Sequence, residues 1–173
     1  VSYFRERSNS QNQITIITFD TYIIFFGRNI ETTKGGVLVI IDEQIKELAG
    51  QAINMRAFSY TPYSHFNVGA ALLAQDGKVY TGCNIENAAY TPTICAERTA
   101  FFKAVSEGER KFVAIAIAGG PKDASADKMQ YCAPCGVCRQ VMAEFCDPEH
   151  FMIYLVKSLD DMKSYSLKEL LPE

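Results

Sequence analysis

Positive charge is scarce in this chain. It has 17 lysines and arginines against 20 acidic residues, a formal net charge of −3. Holding a polynucleotide rests largely on lysine and arginine neutralising phosphates, so no nucleic-acid partner is expected. Histidine is scarcer still, with His65 and His150 the only two, and both read as structural or exposed. Long apolar runs are missing as well. The stretch Ile14 to Phe26 is apolar apart from its threonines and a central Asp20, and it is too short to span a bilayer. Arg5 and Arg7 precede it as they would a signal peptide, but Asp20 and the lack of a small-residue cleavage pattern argue against export. Neither a membrane nor a secreted setting is expected, and the cytoplasm is the expected location.

What remains is an ordinary globular composition. At 173 residues, 48% hydrophobic and 21% charged, the chain has material for one full core. Residues 1–40 carry no motif and form an N-terminal extension of unassigned role, β-prone, either packing on the domain or staying loose. The domain proper runs over residues 41–173. Asp42 is placed to cap a helix in which Ile45, Leu48, Ala49, Ala52 and Ile53 recur at helical spacing, ending near Phe58 and closed by Thr61-Pro62. Phe66 to Ala74 and Lys78 to Cys83 flank Asp76-Gly77 as a β-hairpin. A helix from Cys95 to Glu107, a strand from Lys111 to Ala118, a helix opened by Cys135, a strand from Phe151 to Val156 and a short element around Leu167 to Leu171 follow. This order predicts a three-layer α/β domain with a mixed sheet. Each cysteine-bearing helix then begins at the carboxyl end of a strand, where open α/β sheets bind ligands.

Six cysteines are present, and three are spaced to hold one metal ion. Cys135 and Cys138 form a C-x-x-C pair behind Pro134, and the apolar run Val137 to Phe145 suggests that the pair opens a helix, where the dipole lowers thiol pKa values. Cys95 would supply a third thiolate at the mouth of its own helix. A structural zinc site is closed by four protein ligands, whereas a catalytic one supplies three and leaves a position open. Glu97 gives the three-ligand set its purpose, as a proton carrier beside the metal. Residues i and i+2 do not share a helix face, so Cys95 and Glu97 converge only if Cys95 lies outside the regular helix. Cys132 and Cys135 form a second C-x-x-C, so a register using Cys132 stays open, although Pro134 fits better ahead of a ligand pair than inside one. Cys83 and Cys146 read as buried thiols. Arg98 is a candidate cation to offset the net negative charge of three thiolates on zinc.

These residues carry a family resemblance. Cys95-Ala-Glu97 with Pro134-Cys135-x-x-Cys138 resembles the zinc-dependent nucleoside deaminases. Tyr63-Ser-His-Phe66-Asn-Val68-Gly69-Ala-Ala, Asn84-Ile-Glu86-Asn87-Ala88 and Cys135-Gly-Val-Cys138-Arg-Gln140 resemble, more narrowly, the small homotetrameric cytidine deaminases, over roughly Ile41 to Pro172. The resemblance implies a three-layer α/β/α fold with a mixed five-stranded sheet and one zinc ion per subunit. It implies hydrolytic deamination of cytidine or 2'-deoxycytidine, in which Glu97 protonates N3 and then the departing ammonia. A free nucleoside has no phosphate, in keeping with the missing basic footprint. By the same resemblance Phe66 packs on the pyrimidine, Asn84 and Glu86 bond the ribose 3'-hydroxyl, and Arg98 donates to the cysteine sulfurs. Ala88 and Tyr90 reach the 5'-hydroxyl of a neighbouring subunit's substrate, so the implied assembly is a homotetramer with shared sites.

Three departures from the family pattern stand out. Thr93 replaces a frequent glycine, Gly119 to Ala133 is longer than the usual connection, and the chain reaches Glu173 without the aromatic that closes over a neighbour's nucleoside. A blasticidin-type aminonucleoside deaminase differs mainly at the pocket rim and is the alternative within the family. A structural zinc module would need a fourth ligand from Cys83, Cys132 or His65 and would leave Glu97 unused. A thiol oxidoreductase would use Cys135 and Cys138 as a redox pair without metal.

Overall fold

The computed structural model describes residues 16–19, 22–25, 42–124 and 128–171. Contacts divide the chain into Val1–Gln44 and Ile45–Glu173. In the first unit, β1 (Ile16–Phe19) and β2 (Tyr22–Phe25) pair antiparallel. The remaining expectation for residues 1–40, that they pack on the domain or stay loose, lies outside the described residues.

The second unit is built on one sheet of order β4-β3-β5-β6-β7. Its strands are β3 (Phe66–Ala74), β4 (Val79–Cys83), β5 (Phe112–Pro121), β6 (Met152–Ser158) and β7 (Asp161–Ser166). The β3–β4 hairpin turns at Asp76-Gly77 as expected, with Gly77 at φ 89. β5 and β6 pair parallel and the remaining neighbours antiparallel, which makes the sheet mixed. The helices are α1 (Asp42–Met55), α2 (Ala96–Ser106), α3 (Gly136–Phe145) and the single turn α4 (Leu167–Leu170). Asp42 is the first residue of α1 rather than its cap, and a 3-10 turn over Arg56–Phe58 ends the segment. The element order expected from sequence omits β7. Its residues, Asp-Met-Lys-Ser-Tyr-Ser, are mostly polar because this is an edge strand with little to bury.

Alternation along β3 sorts the helices into two outer layers. Gly69 and Ala70 point to opposite faces. A Cβ on Gly69 would lie 2.1 Å from the Ala52 carbonyl of α1, and one on Gly82, the partner of Ala70, 2.4 Å from the Ala96 carbonyl of α2. So α1 covers one face and α2 the other, each so close that the facing position must lack a side chain. On the α2 face Leu72, Ala100, Phe101, Ile115, Ile117, Met142, Ile153 and Leu167 form one buried cluster, which brings in α3 and α4. The long buried runs of β3 and β5 are apolar on both faces because helices cover both.

This packing sets the site. β4 and β5 are each antiparallel to β3, so their carboxyl ends lie at the same edge, and α2 and α3 start from there. A prediction follows from the glycines. Gly82→Ala should destabilise the fold by about 1–3 kcal/mol, since the new methyl meets helix backbone. Gly50→Ala, inside α1 with only Leu159 nearby at 3.8 Å, should stabilise by about 0.5–1 kcal/mol. Denaturant melts of both variants check the signs.

Candidate active site

Cys95 and Cys135 are the N-caps of α2 and α3, both in extended backbone, at φ −78 and −67 respectively. Cys95 therefore lies outside the regular helix, the condition required for it to converge with Glu97. Cys138 is the third residue of α3, buried, and its backbone N–H points at the Cys135 Sγ at 3.5 Å. The Cys95 and Cys135 sulfurs are 3.8 Å apart, those of Cys135 and Cys138 3.5 Å, and all three lie within 4.8 Å of one another. Three corners of a zinc tetrahedron with Zn–S near 2.3 Å are separated by about 3.8 Å. The sulfurs fit that ion. Among the described residues no fourth His, Cys, Asp or Glu joins the group, and Cys132 stays outside it. The geometry favours the Cys135–Cys138 register.

The thiols do not ionise independently. Cys95 is drawn down to about 5, first by a hydrogen bond from Cys138, with Arg98 adding to it against burial. The same bond, with burial, raises Cys138. The negative charge at the helix mouths therefore sits on Cys95, and a dication would let Cys138 ionise as well. Arg98 Nη2 donates to Cys95 Sγ at 3.7 Å and to the Thr93 carbonyl at 3.2 Å. Burial lifts the Cys132 thiol to about 11, with Glu97, Cys95 and Cys135 adding to the effect.

Glu97 stands at the second position of α2, only 4% exposed. Burial pushes its carboxyl up to about 7, and the negative Cys95 sulfur adds to this. A buried carboxyl with proton affinity near neutrality is suited to taking and giving protons in turn.

The other sequence-selected residues fall into two groups. Phe66 and Asn84 are joined: Asn84 Nδ2 donates to the Phe66 carbonyl at 2.9 Å, and its Oδ1 accepts from the Val68 N–H at 2.8 Å. This keeps one amide hydrogen and one lone pair of Asn84 for a ligand. Glu86 Oε2 accepts from the Tyr63 and Ser64 N–H groups at 3.0 and 3.2 Å, and hydrogen bonding from the Ser64 hydroxyl, its largest influence, holds the carboxyl below its ordinary value. Ala88 and Tyr90 lie on the exposed loop after Glu86, Tyr90 with 92% of its surface free. His65 is exposed, as expected, and takes a left-handed φ of 53 that turns the chain into β3 at Phe66. His150 is exposed and bonds Asp147.

Two further residues, inside the motifs quoted above but without a role assigned there, support the site. Arg139, directly after Cys138, donates from Nη1 to the Leu170 carbonyl and ties α3 to α4. Asn67, buried beside Phe66, accepts from Thr61 Oγ1 at 2.6 Å and donates to the Arg56 carbonyl at 2.9 Å. Arg139 could have been suspected from its place beside Cys138. For Asn67 the motif shows the residue but not its partners, which stand 6 and 11 positions before it.

Comparison with known proteins bears on this geometry. The family model described as cytidine and deoxycytidylate deaminase zinc-binding region matches residues 42–154. A curated cytidine deaminase from Sporosarcina psychrophila is 48% identical over 128 residues, 74% of this chain and 88% of its own length. A blasticidin-S deaminase from Bacillus cereus is 29% identical over 133 residues, 76% of this chain and 92% of its own. The crystal structure of cytidine deaminase from Burkholderia pseudomallei shares 43% of the sequence with a TM-score of 0.65, covering 73% of this chain and 95% of its own. Sequence motifs, the mixed five-stranded sheet and a three-sulfur cluster beside a buried glutamate meet in one assignment: this chain belongs to the zinc-binding cytidine deaminase family of hydrolases.

Proposed function

We propose that the chain deaminates cytidine and 2'-deoxycytidine to uridine and 2'-deoxyuridine, releasing ammonia, and so serves pyrimidine salvage. The observation that carries this reading is a cluster of three thiols at two helix mouths, without a fourth ligand among the described residues, and with Glu97 buried beside it. A structural module would close the set with a fourth ligand.

Cys95, Cys135 and Cys138 would hold one zinc ion per subunit, with Arg98 and the two helix N-termini offsetting the thiolate charge. Zinc held there would supply Lewis-acid chemistry, lowering the pKa of water. Glu97, buried beside the thiols, would carry one proton from the attacking water to N3 and the second to the departing 4-amino group. The C4–N bond breaks as the C4 carbonyl forms, and the water oxygen stays in the product. Phe66 lies against the pyrimidine, and Asn84 and Glu86 bond the ribose 3'-hydroxyl. A site that makes such bonds discriminates strongly against analogues lacking the hydroxyl.

Ala88 and Tyr90 serve the 5'-hydroxyl of a neighbouring subunit's substrate in a homotetramer. Support comes from the surface: Tyr60, Tyr63 and Tyr90 are 58, 59 and 92% exposed around the Glu86 segment, and Ile85 is 43% exposed. Apolar groups gathered in this way mark an interaction face. The substrate is a small molecule and no nucleic-acid partner is expected, given the charge of −3. Among the described residues no helix is long and apolar enough to cross a membrane. The free thiols of the site suit the cytoplasm.

The central test is zinc per chain together with conversion of cytidine to uridine followed by absorbance. A metal-free protein, or one with four protein ligands on its zinc by X-ray absorption, would sink the reading. Glu97→Gln should keep zinc while turnover falls by at least about 10²–10⁴-fold. Cys135→Ala should lose zinc, activity and thermal stability together, whereas Cys132→Ala should keep all three; release of zinc from the Cys132 variant would reverse the register. Shared sites are tested by co-refolding Glu97→Ala chains with Tyr90→Gly chains. Mixed oligomers regain pockets with both residues intact, so activity should exceed the parental mean. A parental mean despite mixed oligomers in native mass spectra would confine the site to one chain.

A further inference from the structure

Between the exposed loop and the metal cluster stands a single residue, Thr93, that makes bonds in both directions. Its Oγ1 accepts from the Asn87 N–H at 3.1 Å, and its own N–H donates to the Tyr90 carbonyl at 3.0 Å. Its carbonyl accepts from Arg98 Nη2 at 3.2 Å, the same nitrogen that donates to Cys95 Sγ at 3.7 Å. Asn87 then accepts through Oδ1 from the Ala89 N–H at 3.0 Å. Ile94, next along, exchanges both backbone bonds with Ile85 at 3.0 Å, which closes the loop into a ring of bonds. Thr93 is half-buried, while residues 87–92 are exposed and have little packing to hold them. Their conformation therefore depends on few hydrogen bonds, and the Thr93 hydroxyl supplies the one at the centre.

We infer that Thr93 is a positioning residue: its hydroxyl fixes the Glu86–Tyr90 segment at the geometry needed for the sugar, and its carbonyl aims the Arg98 guanidinium at Cys95. The sugar-binding half of this inference rests on the function proposed above. Thr93 stands outside the three-thiol group and acts through Asn87 on one side and Arg98 on the other. Glycine at this position would keep the carbonyl and lose the hydroxyl, so the loop and the metal cluster would no longer be joined by a side chain.

The test compares Thr93→Val, which keeps the shape and loses the acceptor, with Thr93→Ser, which restores it. In the zinc-loaded protein Thr93→Val should raise KM for cytidine about three- to tenfold, the effect of one hydrogen bond. Its kcat and zinc content should stay within about twofold of the parent, and Thr93→Ser should return KM to the parental value. Amide exchange at Asn87 and Ala89 should quicken in the valine variant alone, with or without substrate. An unchanged KM with unchanged exchange overturns the inference. So does a serine variant as impaired as valine, which would assign the effect to the methyl group, or a valine variant whose kcat, zinc and melting temperature all fall together. A parent chain that binds zinc but leaves cytidine untouched overturns the function proposed above and with it the sugar half, while exchange at Asn87 still decides whether Thr93 holds the loop.

Discussion

Sulfur atoms this close repel one another once ionised, and the catalytic unit is arranged around that repulsion. Thiols 3.5 and 3.8 Å apart can all become thiolates only where positive potential is fixed in place. Two helix N-termini provide part of it and Arg98 a further part. Both helices must then start at one edge of the sheet and aim inward. The parallel relation of β4 and β5, each antiparallel to β3, delivers their following helices to that edge.

Close approach of helix to sheet keeps those helix mouths in register. The bare backbone at Gly69 and Gly82 lets α1 and α2 settle against β3 and β4 at distances no side chain would allow. Phe101 and Met142, wholly buried on the α2 face, hold α2 and α3 on the same apolar cluster. Arg139 adds a polar tie from α3 to the turn at Leu170. Displacement of any of these would move a sulfur before it exposed much core.

The parts of this arrangement that were legible in sequence are those where local chemistry is severe. Three cysteines with a glutamate two residues from one of them narrow the ligand geometry to a helix mouth, and the structure places Cys95 there. The hairpin at Asp76-Gly77 and the helical spacing of Leu48, Ala49 and Ala52 were legible for the same reason. β7 was not, because an edge strand with one face in solvent has no apolar pattern to display. Thr93 could be seen only as a departure from a frequent glycine, since its partners Asn87 and Arg98 are joined to it by folding rather than by spacing. Asn67 was visible within a motif, but its two polar bonds, to Thr61 and Arg56, are made only by folding.

The proposed donor set is made wholly of sulfur and has a chemical temperament of its own. With no imidazole or carboxylate among Cys95, Cys135 and Cys138, the cluster prefers soft metals, and thiophilic ions such as copper(I) compete there on favourable terms. The same sulfurs, stripped of metal, are a thiolate next to two thiols, a combination that oxidants attack readily. The bound ion is therefore also a protecting group.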